Sequence, residues 1–197
     1  MLETAPSICV FCGARPGRDA AYGDLAEEMG RSIAEAGMRL VYGAGNAGLM
    51  GRVAEGAIRA GGETFGVIPE HLIPGERARQ DLTHLVVTET MHERKKLLFT
   101  NSDAIVTLPG GAGSLDEFFE VLTWRQIGLH EKPLYLLNPQ LEDGRGYWDP
   151  LLEMLERVVG EGFADPGLTS SFTVAQGPAA LMARLRADLS RASASAE

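Results

Sequence analysis

The chain has 197 residues, 45% of them hydrophobic, which is enough for one sizeable core and short for two domains. Its formal net charge of −9 argues against nucleic-acid binding, so an anionic ligand would have to meet a local cluster of positive groups. No basic-then-apolar signal stretch opens the sequence and no apolar run approaches about 18 residues, so we expect a cytoplasmic protein without membrane contacts.

Apolar runs typical of buried strands alternate with helical patterns along almost the whole chain. We predict strands over residues 7–13, 38–43, 63–69, 85–89, 103–108, 132–138 and 171–175. We predict helices over residues 19–37, 49–62, 91–102, 114–128, 148–161 and 178–190. This alternation indicates an α/β fold in which one doubly wound, mostly parallel sheet carries helices on both faces. We expect a single domain over residues 1–190 and a disordered tail over 191–197.

The first predicted strand contains the only two cysteines, Cys9 and Cys12. Residues three apart on a strand face opposite sides, which suits neither a disulfide nor a shared metal ion. A zinc site would need a second ligand pair, and the sequence has no further cysteine. We therefore expect two buried core thiols and no metal site.

Ligands of doubly wound sheets bind beyond the carboxyl ends of the strands, where the strand order reverses. This rule directs attention to the loops over residues 12–18, 43–48, 69–84 and 109–114. The stretch over 70–84 is the longest without clear periodicity, and long irregular loops in compact domains are often functional.

The loop after the second strand contains a G-x-G-x-x-G pattern at Gly43, Gly45 and Gly48, the strand-to-helix context of a dinucleotide fingerprint. By spacing, the acid that should bind the ribose is Glu63, but it begins its strand and lies at the wrong end of the sheet. Two interpretations stay open. Gly43 and Gly45 hold a nucleotide phosphate on backbone amides, or the loop only packs a strand tightly against a helix.

The stretch TETMHERKKLLF places three cations near the start of a helix. Thr90 and Glu93 have capping-box spacing, so we predict that the helix begins at Met91. Arg94, Lys95 and Lys96 then crowd the end that the helix dipole makes unfavourable for cations. A solvated charged face is one interpretation and an anion-binding cluster is the other. Because a cation there is unfavourable, we expect substitution of Arg94 to leave stability near that of the wild type.

The stretch LPGGAGSLDEFFE breaks a strand with three glycines and then opens a helix. The glycines permit close backbone approach to a ligand, and a helix N-terminus offers N–H groups to a phosphate. Ser114 and Glu117 also match the capping-box pattern S-x-x-E, in which Glu117 only reaches back to the Ser114 amide. The residues alone leave capping and catalysis equally open for Glu117.

Two of these stretches, PGGAGSLDE (109–117) and MHERK (91–95), resemble the paired signatures PGGxGTxxE and M-x-x-R-K of the "lonely guy" (LOG) phosphoribohydrolases. That family activates cytokinins from their riboside 5′-monophosphates. The similarity covers about residues 7 to 175 and continues through ICVFCGA, LVYGAGNAGLMG, GVIPEHLIP, LTWRQIGLHEKP and GEGF. The chain departs from the family pattern at Ser114, where Thr is usual, at Ala14, where Ser is common, and at Ala44, which interrupts a triple glycine.

The resemblance implies a Rossmann-like fold, no metal or organic cofactor, a homodimer and a nucleoside 5′-monophosphate substrate. It implies Arg94 and Glu117 as the catalytic pair. The substrate-binding positions that it adds are Glu76, Lys95, Gly110, Gly111, Ala112, Gly113, Ser114, Leu115, Asp116 and Thr123. We expect the 5′-phosphate to lie on the amides of residues 110–114 and Glu76 to hold the ribose hydroxyls.

The expected reaction is hydrolysis of the N-glycosidic bond of AMP or an N6-modified AMP to the free base and ribose 5-phosphate. Glu117 would stabilise the oxocarbenium-like transition state, and two roles stay open beside this one, positioning the water or acting as the nucleophile. Arg94 would orient the phosphate or Glu117. Two alternatives remain: a nucleotide-binding carrier or sensor without turnover, and a nicotinamide-dependent oxidoreductase built on the G-x-G-x-x-G loop. The label lysine decarboxylase, often given to such sequences, has no pyridoxal site here to support it.

Overall fold

In a computed structural model, which describes residues 5–76 and 78–195, seven strands form one sheet. The strands are β1 (Ser7–Phe11), β2 (Arg39–Tyr42), β3 (Thr64–Pro69), β4 (His84–Thr88), β5 (Ala104–Thr107), β6 (Leu134–Leu137) and β7 (Thr173–Ala175). Their order in the sheet is β4-β3-β2-β1-β5-β6-β7, and all neighbouring strands run parallel. The chain therefore winds outward from β1 in both directions, which confirms the predicted doubly wound α/β fold.

Helices cover both faces of the sheet, because parallel strands need crossover connections and bury both sides. The helices are α1 (Ala21–Glu35), α2 (Gly48–Arg59), α3 (Ile73–Glu76), α4 (Met91–Thr100), α5 (Ala112–Gln126), α6 (Asp149–Gly160) and α7 (Pro178–Ser195). The helices α1, α2 and α7 share one hydrophobic core, and α4, α5 and α6 share the other. Among the residues described, no helix combines the length and apolar character of a membrane span.

The side-chain alternation of β1 places the two cysteines as predicted. Cys12 belongs to the core beneath α1 and α2, and Cys9 belongs to the core beneath α4 and α5. Both cysteines are buried, and neither forms a disulfide. Burial and the nearby Glu117 carboxylate raise the pKa of Cys9, so its thiol stays protonated.

Many element boundaries differ from the sequence prediction by one or two residues, and three differences bear on the site or on the predicted tail. The segment predicted as irregular contains a 3₁₀ turn (Glu70–Leu72) followed by the one-turn helix α3. Helix α5 begins at Ala112, two residues before the predicted start. Helix α7 runs to Ser195, so residues 191–195 of the predicted tail are helical, and 196–197 lie outside the described residues.

Candidate active site

A cleft of about 600 Å³ opens at the carboxyl ends of β1, β2 and β5, where the strand order reverses. Its walls come from the loops after β1, β2 and β5, with contributions from α1, α2, α4, α5 and the loop before α6. The lining residues that the argument uses are Arg15, Tyr22, Gly43, Arg94, Gly110, Gly111, Ala112, Gly113, Ser114, Asp116, Glu117 and Tyr147. Three of the four loops named from topology thus meet in one place.

Backbone contacts join these loops into the floor of the cleft. The Gly13 amide donates to the carbonyl of Pro109 at 3.0 Å, and the Leu49 amide donates to the carbonyl of Gly13 at 2.9 Å. Gly48 has φ +58° and packs on the backbone of Ala14 so closely that a Cβ would collide with it. The G-x-G-x-x-G loop therefore does pack tightly, as one of its two interpretations proposed.

No side chain caps the N-terminus of α5, which we call the mouth of the helix. The helix N-cap is Gly111. Of the two interpretations left open for Glu117, the capping box with Ser114 is wrong, because the helix starts before Ser114 and that residue is buried within the first turn. The early N–H groups of α5 lack carbonyl partners one turn back, so they are available to an anion in the cleft.

The mouth of α4 is closed, as the sequence predicted. The Glu93 amide donates to Thr90 Oγ1 at 3.2 Å, and the Thr90 amide donates to Glu93 Oε2 at 3.2 Å. This reciprocal capping box starts the helix at Met91.

Arg94 lies on the first turns of α4 but points into the protein, with only 6% of its surface exposed. Its Nε donates to the carbonyl of Val67 at 3.3 Å, and its Nη2 donates to the carbonyl of Gly43 at 3.1 Å. A Cβ at Gly43 would collide with the guanidinium. The solvated-face interpretation is therefore wrong for Arg94. Because two buried carbonyls accept hydrogen bonds from it, we now expect its substitution to lower stability.

The remaining two cations of that stretch do not line the cleft. Lys95 Nζ lies 3.0 Å from Asp116 Oδ2 and 3.1 Å from Glu120 Oε1. Burial alone would lower the pKa of Lys95, but hydrogen bonds to the two carboxylates raise it overall. Lys96 is exposed. Of the three cations in the predicted anion-binding cluster, only Arg94 lines the cleft. Lys95 instead forms ion pairs that join α4 to α5.

Glu117 lines the cleft from the second turn of α5 and is half-buried. The charges of Glu117 and Arg94 both act on the Cys9 thiol, one raising its pKa and the other lowering it. Both residues line the same cleft, and the helices that carry them, α4 and α5, pack on the same face of the sheet. The arrangement places one carboxylate and one buried guanidinium beside a row of helix amides.

The structure brings most of the predicted site residues together. The cleft contains Gly43, Arg94, Gly110, Gly111, Ala112, Gly113, Ser114, Asp116 and Glu117. It does not contain Gly45, which is buried, Lys95, Leu115, which packs on the core, or Thr123, which is exposed on α5. Glu76 ends α3, and its side chain lies outside the described part of the chain.

Sequence reasoning missed several residues of the cleft. Arg15 and Tyr22 follow β1, and Tyr147 comes from the loop before α6. The topological rule had marked the loop after β1, so the exposed Arg15 on it could have been found as a cation beside a phosphate site. Nothing in the local sequence marks Tyr147, because it reaches the cleft through the tertiary fold. Within residues 5–76 and 78–195, no cluster of three or more His, Cys, Asp or Glu is placed to hold a metal ion.

Comparisons with known proteins identify the family of this chain and proteins that share its fold. A family model described as "Possible lysine decarboxylase" matches residues 50–185. A cytokinin riboside 5′-monophosphate phosphoribohydrolase of Rhodococcoides fascians is 47% identical over 185 residues, 93% of this chain and 90% of that protein. One of the same name from Arabidopsis thaliana is 39% identical over 88% of this chain and 78% of that protein. A molybdenum cofactor carrier protein from Chlamydomonas reinhardtii, 24% identical, shares the fold with a TM-score of 0.72 over 95% of this chain and 99% of that one.

Proposed function

The chain belongs to the LOG family of phosphoribohydrolases, and we propose that it hydrolyses the N-glycosidic bond of adenosine 5′-monophosphates, with or without an N6 substituent. The products are the free base and ribose 5-phosphate. The observation that carries the proposal is the pairing of Glu117 with the uncapped N-terminus of α5 in one cleft. A phosphate-binding element and a carboxylate thereby stand within the length of one nucleotide.

The 5′-phosphate binds at the mouth of α5 in this proposal. The amides of the Gly110–Ser114 stretch donate to its oxygens, and the positive end of the helix dipole adds a favourable field. Arg15 supplies an exposed cation from the loop after β1, since it lines the same cleft. Arg94 already donates to two carbonyls, so its fixed charge serves the cleft mainly as a stationary positive field.

Glu117 acts on the ribose. Departure of a purine leaves positive charge on C1′ and the ring oxygen, and a carboxylate beside C1′ stabilises that charge. Arg94 lines the same cleft as Glu117 and contributes a fixed positive charge to it. Glu76 is proposed to hold the ribose hydroxyls, on the strength of the family resemblance.

The active form is proposed to be a cytoplasmic homodimer. On the outer face of α5, Phe119, Thr123 and Ile127 follow one another four residues apart, and Ile127 is 65% exposed. A second copy covering this apolar face would remove it from water. Thr123 would then lie at the interface. Light scattering of an Ile127→Glu variant tests the assignment, since a monomer is expected and an unchanged dimer would contradict it.

The test of the reaction is identification of products. Purified protein is incubated with AMP and with isopentenyladenosine 5′-monophosphate, and the free base and ribose 5-phosphate are quantified by chromatography. We expect many turnovers with at least one of the two substrates. Stoichiometric binding without release of base would instead identify a carrier. Calorimetry with NAD tests the oxidoreductase alternative, for which no binding is expected.

A further inference from the structure

Tyr147 reaches from the loop before α6 to the mouth of α5. Its hydroxyl donates to the carbonyl of Gly110 at 2.7 Å, and its ring lines the cleft. The ring meets Tyr22 edge-on at 5.7 Å and Trp148 edge-on at 4.7 Å. These contacts hold the ring in place, so the hydroxyl is presented to one backbone carbonyl from a fixed position.

A set of polar contacts fixes the loop that carries Tyr147. The Trp148 amide donates to Asn138 Oδ1 at 2.6 Å, and Asn138 Nδ2 donates to Asp149 Oδ1 at 2.8 Å. The Gly146 amide donates to Asp149 Oδ2 at 2.7 Å. The hydrogen bonds from Asn138 and Gly146 lower the pKa of Asp149, so its carboxylate stays ionised and the frame stays closed at neutral pH.

The bonded carbonyl belongs to a peptide group that can turn over. In a trans peptide the carbonyl of Gly110 and the N–H of Gly111 point in opposite directions. Turning this peptide through half a rotation would move φ of Gly111 from −98° to about +80°, a region that glycine enters at no steric cost. The carbonyl oxygen would then stand where the N–H had been. A phosphate would meet an acceptor in place of a donor.

We propose that Tyr147 is a positioning residue that holds the Gly110–Gly111 peptide in the orientation that binds phosphate. Its hydroxyl stabilises one of two accessible orientations of a peptide between two glycines. The inference rests on the proposed function, because it assumes that a phosphate group occupies the mouth of α5. It adds a residue from a distant loop that acts on the ligand only through the backbone.

The first test is Tyr147→Phe, which keeps the ring contacts and removes the hydrogen bond. The control is Tyr135→Phe, because the Tyr135 hydroxyl donates to Asp188 at 2.8 Å and Tyr135 does not line the cleft. For Tyr147→Phe we expect the dissociation constant of ribose 5-phosphate, measured by calorimetry, to rise about three- to tenfold. KM for AMP should rise by the same factor, with kcat changed less than about twofold. Unchanged affinity, or an equal change in the control, would overturn the proposal.

A second test distinguishes peptide orientation from loss of packing. A Cβ at Gly111 meets no atom within 4 Å, and alanine strongly disfavours the positive φ of the turned peptide. In the Gly111→Ala background, Tyr147→Phe should therefore weaken ribose 5-phosphate binding less than it does in the wild type. An equal factor in both backgrounds would show that Tyr147 does not act through peptide orientation.

Failure of this inference is distinguishable from failure of the proposed function. Calorimetry with ribose 5-phosphate requires no turnover. A wild type that binds this probe but releases no base from nucleotides contradicts the proposed function, while the Tyr147 comparison can still be made. A wild type that does not bind the probe contradicts both.

Discussion

The helices α4 and α5 begin with the same sequence pattern and have different N-termini. Thr90 and Glu93 close α4 with a reciprocal capping box, whereas Ser114 and Glu117, with identical spacing, lie inside α5. The difference comes from the residues before the pattern. Three glycines let α5 start at Ala112 with Gly111 as its N-cap, so no side chain occupies its mouth. In our proposal, the uncapped start of α5 together with the half-buried Glu117 makes this terminus a ligand site, whereas the capped start of α4 is structural.

The largest expected effect is the loss of activity in Glu117→Gln, and the matched comparison is Glu93→Gln. Glu117→Gln should lower kcat at least about 100-fold, the scale of one preorganised electrostatic group, while cooperative unfolding is retained. Glu93→Gln keeps a side chain that can still complete a capping box and should leave kcat unchanged. Turnover and a thermal melt are measured for each variant. Near-full activity of Glu117→Gln would show that Glu117, like Glu93, has only a structural role.

Substitution of Arg94 tests whether α4, the capped helix, contributes to the site at the uncapped N-terminus of α5. Arg94→Ala should abolish most activity and lower the free energy of unfolding by about 2–4 kcal/mol, because the buried carbonyls of Val67 and Gly43 lose their donors. Arg94→Lys should be nearly as damaging, since an ammonium cannot reproduce donors fixed in one plane. Kinetics and denaturant titration check both variants. Lysine restoring most of the activity would contradict a fixed guanidinium.

Substitution of Arg15 tests whether a cation from the loop after β1 contributes to binding at the uncapped N-terminus of α5. Arg15→Ala should raise KM for AMP about two- to tenfold and leave kcat nearly unchanged, because an exposed side chain offers a solvent-screened contact. The effect should shrink as salt is added. Arg18→Ala is the matched control, since Arg18 is exposed on the same loop and does not line the cleft. Equal effects of the two substitutions would indicate only a general loss of positive charge.

The smallest expected effect is that of a substitution at the capped N-terminus of α4. Thr90→Ala removes the N-cap of α4 and should lower the free energy of unfolding by about 1 kcal/mol without changing KM or kcat. Denaturant titration measures the loss. A change in KM of the size seen for Arg15→Ala would mean that the α4 terminus also contacts substrate.

The sequence predicted the fold because its signals are local and consistent. Strand and helix patterns alternate with short connections, and topology then placed the site at the carboxyl ends of the strands. The capping box formed by Thr90 and Glu93 was also predicted correctly. At Ser114 the same pattern left capping and catalysis open, because glycines before it can begin a helix. A four-residue signature does not report where the first turn starts, and the structure excludes the cap.

Burial and tertiary contact were the parts that local sequence could not supply. Arg94 sits in a run of charges, yet it turns inward because Gly43 leaves room for it 51 residues earlier. Lys95 carries the same charge one residue later and faces Asp116 instead. The site's Tyr147 comes from a loop whose own sequence shows no functional pattern, and its partner Gly110 is 37 residues away.

The central claim is that the uncapped mouth of α5 takes the 5′-phosphate of a nucleotide whose ribose then lies beside Glu117. The most direct measurement is kcat/KM for AMP against kcat/KM for adenosine, at equal ionic strength and with the wild-type protein. Two or more charge-assisted hydrogen bonds to the helix amides predict a preference for AMP of at least about 100-fold. Equal hydrolysis of the two compounds would contradict the claim.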